Sequence, residues 1–359
     1  MKRLFSLVLS AALTLLLLTG CAGSAPDNTE TAAETRPFTD SLGRTVTLPA
    51  EIEKIAVSGP LAQVYVFPLC PELFAGFAVP FSEEALRYVP EEYRSLPLLG
   101  QLYGGKGTMD LEALLAAVPD VVIDVGEAKD GMAEELDALA EQVGIPFVHI
   151  EATTLTAAAA YRVLGELTGR TEKAEALALW CEETLQNVTD IMAAVDADGA
   201  RKSVVYCLGD KGLNVLAEGS YHAETINFVS RNAAVLPDAV AAGSGNEVDP
   251  EQLLLWDPEV LIFAPDTVYE KVGTDETWQQ LAAVRNGTYY ETPFGPYGWL
   301  ASPPAVQRYL GLIWLTALLY PDYVNYDLQE LVTEYYDLFY GFALSEEDYA
   351  ALTANALPK

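Results

Sequence analysis

One phrase occurs twice in the sequence, and it limits the folds open to the chain. The first copy, 109–124, reads MDLEALLAAVPDVVID, and the second, 248–263, reads VDPEQLLLWDPEVLIF. Aligned without a gap, Asp110 meets Asp249, Glu112 meets Glu251, and Leu114 and Leu115 meet Leu253 and Leu254. Pro119 meets Pro258 and Ile123 meets Ile262, at a constant offset of 139 residues (249 minus 110). Each copy opens on an acidic residue, which suits a helix N-terminus. The paired leucines give that helix a buried stripe. Proline stops it, because the residue before proline avoids helical geometry. The Val/Ile run that follows is too apolar to alternate, as in a parallel strand covered on both faces. Helix-proline-strand is a common phrase in α/β proteins, so one copy would say little. Two copies in matched register predict two α/β lobes of similar plan.

The rest of the chain fits around that repeat. Its 359 residues suffice for two domains, and 51% apolar residues supply a core. Lys2 and Arg3, an apolar stretch over 4–18 and Leu18-Thr19-Gly20-Cys21 form a signal peptide at 1–20. The stretch is shorter than the roughly 20 residues a spanning helix needs. Its end resembles a bacterial lipobox, which implies cleavage before Cys21 and lipidation of that thiol. Residues 21–36 are small, polar and rich in Thr and Glu, and read as a flexible tether. The first lobe is expected at 37–155, a connecting helix at 156–197 and the second lobe with C-terminal helices at 198–359. Segment 156–197 lacks proline and is rich in Ala, Leu and Glu, with Gly165 and Gly169 marking a break near its start.

Local patterns fill in the lobes. Residues 38–49 alternate as a hairpin turning at Leu42-Gly43-Arg44, and 54–58, 72–80 and 146–150 read as strands. Residues 132–143 form a helix capped by Gly144. In the second lobe 203–208, 212–217 and 288–290 are strands, 305–320 is an apolar helix and the tyrosine-rich tail from Leu328 is helical. Besides Cys21 the cysteines are Cys70, Cys181 and Cys207. They read as buried thiols, with a single disulfide left open.

Several of these stretches match a known family. Residues 38–57 (FTDSLGRTVTLPAEIEKIAV), the spacings from Glu112 to Pro119-Asp120 and from Glu251 to Pro258-Glu259, residues 278–287 (WQQLAAVRNG) and the C-terminal Ser302-Pro303-Pro304 to Tyr320-Pro321 carry the likeness. It resembles the substrate-binding proteins that serve ABC importers of iron-siderophores, haem and cobalamin, in a lipoprotein form. The likeness covers roughly 38–340. It implies an α/β fold of two Rossmann-like lobes joined by a single long helix, with the ligand in the cleft between them. It implies a monomeric receptor, held outside the cytoplasm by lipid on Cys21, that passes its ligand to a permease dimer with its ATPase. It also implies that one exposed glutamate on each lobe docks on basic residues of the permease, and the matching glutamates are Glu112 and Glu251. Each also stands in the first turn of its helix, where a glutamate is favourable in any case.

In open α/β sheets, ligands sit beyond the C-terminal ends of the strands. That rule selects Ser58-Gly59-Pro60 and Leu102-Tyr103-Gly104-Gly105 in the first lobe. In the second it selects Ser220-Tyr221-His222, Pro265-Asp266 and Pro296-Tyr297-Gly298-Trp299. Ser58, Pro60, Tyr103, Gly104, Tyr221, His222, Tyr297, Trp299 and Arg308 are therefore the candidate cleft residues. Tyrosine and tryptophan bring large contact area with few rotors, which suits a flat chelate. Arg308 has two readings: a partner for an anionic ligand, or a structural ion pair. His222 likewise stands open between a ligand to iron and a surface residue. His149 reads as a satisfied interior histidine.

Other functions find less support. The formal net charge of −32 argues against nucleic acid and anionic membranes and weakly favours a cationic ligand. Gly100-Gln-Leu-Tyr-Gly-Gly105-Lys106 nearly spells a phosphate loop, but Gly107 replaces the Ser or Thr that would hold magnesium. Two histidines leave little room for a hydrolytic triad or a bare-metal site. The expectation is a binding protein with no cofactor, its metal chelate being cargo. An enzyme acting on a cofactor and an interaction lipoprotein without a small ligand are the alternatives.

Overall fold

The computed structural model describes residues 34–103, 108–265, 267–301 and 303–358. The signal peptide, Cys21 and most of the tether lie outside the described residues, as do Gly104 to Gly107, Asp266 and Ser302. Strands β1 (Thr35–Thr39) and β2 (Thr45–Pro49) pair as the alternation predicts. At their turn the Asp40 carboxylate accepts the Leu42 and Arg44 N–H groups at 3.0 Å and pairs with the Arg44 guanidinium at 2.6 Å.

The first lobe is built on a parallel sheet ordered β3 (Ile55–Val57), β4 (Val121–Gly126), β5 (Phe147–Glu151). Every residue of β3 and β4 is buried, as near-continuous apolar runs require, and Asp124 of β4 is buried with them. Helices α1 (Pro60–Val66), α2 (Leu111–Ala117) and α3 (Met132–Val143) accompany the sheet. The strand expected at 72–80 does not form. Pro71–Leu73 turns as a 3-10 helix, and only single bridges follow, Phe74 to Ile55 and Phe77 to Leu98. The rings of Phe67, Phe74, Phe77 and Phe81 gather there instead, so aromatic packing takes the place of a ladder.

Between the lobes lie α4 (Ala157–Thr168) and α5 (Thr171–Ala197). The break expected near the start of 156–197 falls at Gly169, and the long connecting helix is the second of the two. Gly169 ends the first at φ 70°, a left-handed conformation that costs glycine nothing. The second alone spans about 40 Å at its helical rise. Its buried stripe, Leu177, Cys181, Thr184, Val188, Ile191 and Val195, recurs every three to four residues.

The second lobe carries β6 (Ser203–Leu208), β7 (Asn214–Val215), β8 (Arg231–Asn232), β9 (Asn246–Glu247), β10 (Val260–Phe263) and β11 (Tyr289–Glu291). Its sheet runs β11-β10-β6-β7-β9, with β8 also beside β6. Pairing is parallel except around β7. Helices α6 (Glu224–Val229), α7 (Pro250–Trp256), α8 (Arg308–Leu319) and α9 (Leu328–Tyr340) complete it. Trp180 of α5 packs on Tyr335 and Phe339 of α9, at ring separations of 5.2 and 5.5 Å. Cys70, Cys181 and Cys207 are buried free thiols, so the disulfide left open by the sequence is not formed.

The repeat is reproduced in backbone geometry. Asp110 caps α2 by accepting the Glu112 and Ala113 N–H groups, and Asp249 caps α7 by accepting that of Gln252. The helices end on Val118 at φ 49° and Asp257 at φ 37°, again 139 residues apart (257 minus 118). Among the described residues these are the non-glycines with positive φ. Each precedes its proline and is forced left-handed by the same turn into a core strand.

Candidate ligand cleft

A cavity of about 620 Å³ opens between the lobes, within the size range of small-molecule sites. Its first-lobe wall comes from the C-terminal ends of β3 and β4. There Ser58, Gly59 and Pro60 lead into α1, and Asp124, Val125, Gly126 and Glu127 end β4. Tyr103, Lys129 and Met132 extend that wall. Gly59 allows the tyrosine loop to close in, since a Cβ there would lie 2.6 Å from the Tyr103 carbonyl oxygen. The second-lobe wall comes from Tyr221, His222, Ala241, Gly243 and the loop holding Ala301, Pro303 and Pro304.

Asp124 is the buried charge of the floor. It is 4% exposed, accepts a hydrogen bond from the Ser58 hydroxyl, and lies 2.6 Å from Nδ1 of His149. His149 is buried as its sequence position suggests, but its Nε2 has no partner, so only half of its ring is satisfied. Tyr103 donates from its hydroxyl to Glu135 at 2.8 Å, and the Lys129 ammonium stands 4.2 Å from the centre of its ring. Burial, followed by repulsion from Glu224, raises the Glu127 pKa above its ordinary value, against the pull of Arg308. Burial and the nearby Arg308 charge lower that of His222. Burial pushes the Tyr221 phenol up to about 12.

The structure gathers Ser58, Pro60, Tyr103, Tyr221 and His222 on this cavity. It places Tyr297 and Trp299 elsewhere. Trp299 is fully buried, and Tyr297 packs against the Phe81 ring. The glycines and prolines around them shape a core turn rather than an exposed loop. Pro265 lines a separate pocket with Phe294 and Asp348. Arg308 is 1% exposed and lies behind the wall. Its guanidinium bonds Glu224 at 2.8 Å, the Tyr221 carbonyl at 2.6 Å and the Leu300 carbonyl at 3.3 Å, under the Tyr221 ring at 4.6 Å. The Tyr221 hydroxyl donates toward the Ala152 and Pro304 carbonyls, both at 3.3 Å, so it stitches the lobes together.

Asp124, Glu127, Lys129 and Met132 join the wall although sequence reasoning did not select them. One signal was present. At the position where the second copy of the phrase has Phe263, the first has Asp124, a carboxylate within an otherwise apolar strand. Glu112 and Glu251 are exposed on the first turns of α2 and α7. Among the described residues no group of three or more His, Cys, Asp or Glu is arranged to hold a metal ion.

The family model described as periplasmic binding protein matches residues 84–295. The chain belongs to the periplasmic binding protein family. Solved structures agree with that assignment. An ABC transporter solute binding protein from Sulfurospirillum deleyianum is 28% identical, with a TM-score of 0.81 over 89% of this chain and 99% of that one. The molybdate periplasmic binding protein MolA of Haemophilus influenzae, bound to molybdate, is 21% identical, with a TM-score of 0.69 over 86% and 99%. A periplasmic haem binding protein from Pseudomonas aeruginosa is 20% identical, with a TM-score of 0.54 over 75% and 93%. No curated protein matches the chain. The last two structures share the fold alone. A periplasmic binding protein of an ABC transporter works outside the cytoplasm with a permease and its ATPase, and it binds its solute without turning it over. Among the described residues no helix is long and apolar enough to cross a membrane.

Proposed function

We propose that this periplasmic binding protein captures a metal chelate, a ferric siderophore first and haem or a corrinoid next, and hands it to an ABC permease dimer. The observation that supports this reading is the cavity of about 620 Å³ enclosed by both lobes, with Tyr103 and Tyr221 on facing walls. A space of that size takes an organic chelate more readily than a bare ion. Glu112 and Glu251 serve as the docking contacts on the permease, and lipid on Cys21 holds the receptor at the membrane. Tyr221, Thr154 and Arg308 tie the lobes closely, so closure on the ligand is small.

The test is native mass spectrometry of protein purified from its host, followed by thermal-shift titration with ferric hydroxamates, ferric catecholates, haem and corrinoids. A retained chelate, or stabilisation by at least one class at micromolar concentration, is the expected result. Protein that carries no chelate and responds to no class would remove the reading.

A further inference from the structure

We infer that the cleft selects a ligand without net negative charge, a neutral or cationic metal chelate, and rejects oxyanions and polyanionic chelates. This rests on the receptor reading above and narrows it. An anion in a protein site needs N–H donors or fixed cations, because burial removes its water. Among the described residues the wall supplies few fixed cations. Among the described residues its charged side chains are Asp124, Glu127 and Lys129. The Asp124 carboxylate is locked in place from behind by Ser58 and His149, so it cannot swing away from an incoming anion. Lys129 is drawn onto the face of Tyr103, whose hydroxyl is itself bonded to Glu135. The local positive charge is thus answered before any ligand arrives.

The cation that the sequence offered for an anionic ligand is Arg308, and it is withdrawn. Its donors are occupied by Glu224 and two carbonyls, and the Tyr221 ring covers its face. Burial and the nearby Arg308 charge both disfavour the protonated form of His222. Helix α1 opens on the cleft with Pro60, which removes one of the N–H groups its first turn would otherwise present. The whole chain, at −32, sets a field that concentrates cations and repels anions. The fold neighbour crystallised with molybdate therefore does not predict this chain's cargo.

A charge series on one scaffold tests the inference. Three ferric complexes of a linear trihydroxamate are compared by calorimetric titration: the terminal amine (singly positive), its N-acetyl form (neutral) and its N-succinyl form (singly negative). Molybdate, haem, a ferric tris-catecholate and a corrinoid are titrated in parallel. The positive complex should bind roughly tenfold more tightly than the negative one, the size expected of a two-unit charge difference about 6 Å from two wall carboxylates in a water-filled, salt-screened cleft of dielectric near 80. Molybdate should show no binding. Glu127→Gln, an exposed change that spares the core, should shrink the gap to roughly threefold. Negative ligands binding as tightly as positive ones, in this series or across the parallel set, would overturn the charge inference and leave the receptor reading standing. Silence from every ligand would overturn the receptor reading and this inference with it.

Discussion

Replacing Arg308 with methionine separates the two roles that its sequence position allowed. The side chain is 1% exposed, and its removal leaves the Glu224 carboxylate without its cation. Breaking a buried pair from one side costs about 3–5 kcal/mol. Glu224 keeps a 23% exposed side chain and two hydrogen bonds from Thr154, so the lower end, about 3 kcal/mol, applies here. For a chain of this size that is a fall in melting temperature of roughly 6 °C. The double variant Arg308→Met, Glu224→Gln removes both charges and should recover to within about 1 kcal/mol of the parent. Thermal and urea unfolding of the four proteins in the cycle give the coupling, and ligand titration of the same four completes the assay. A single variant as stable as the parent but deficient in binding would refute the reasoning, because Arg308 would then act on the ligand and not on the scaffold.

The remaining predictions concern the repeat. Val118 is β-branched, 67% exposed and held at φ 49°, so Val118→Gly should stabilise the protein by about 1 kcal/mol; a lower melting temperature would contradict the strain argument. Asp257→Gly should bring no such gain, because the Asp257 carboxylate accepts the Ala282 N–H at 3.2 Å. Glu112→Ala with Glu251→Ala should leave ligand affinity and stability unchanged and abolish uptake in cells; normal uptake would remove the docking role.

Much of the fold was legible because it rests on local rules. Residues 132–143, 203–208 and the helix from Leu328 follow from periodicity and caps, and each stands where its pattern places it. Segment 72–80 has the apolar run of a strand but forms none, because its phenylalanines serve an aromatic cluster instead of a ladder. The cleft was half legible. Ser58, Pro60, Tyr103, Tyr221 and His222 follow loops whose position is set by strand ends. Tyr297 and Trp299 look similar in sequence, yet burial depends on what packs above them, and Phe81 lies more than two hundred residues away.

The sequence by itself determined the plan of two lobes, since a repeated helix-proline-strand phrase with one buried stripe and one buried strand per copy has few ways to hide its apolar surface. It also carried the paired exposed glutamates, which only require a first helical turn. Tertiary structure decided which charges line the cavity. Arg308 and Asp124 are both single charged residues among apolar neighbours in the chain. Folding buries Arg308 among Glu224, Tyr221 and Leu300, while Asp124 lines the cavity floor beside Ser58. The sign of the field in the cleft depends on distances between segments far apart in the chain, and no local pattern contains them.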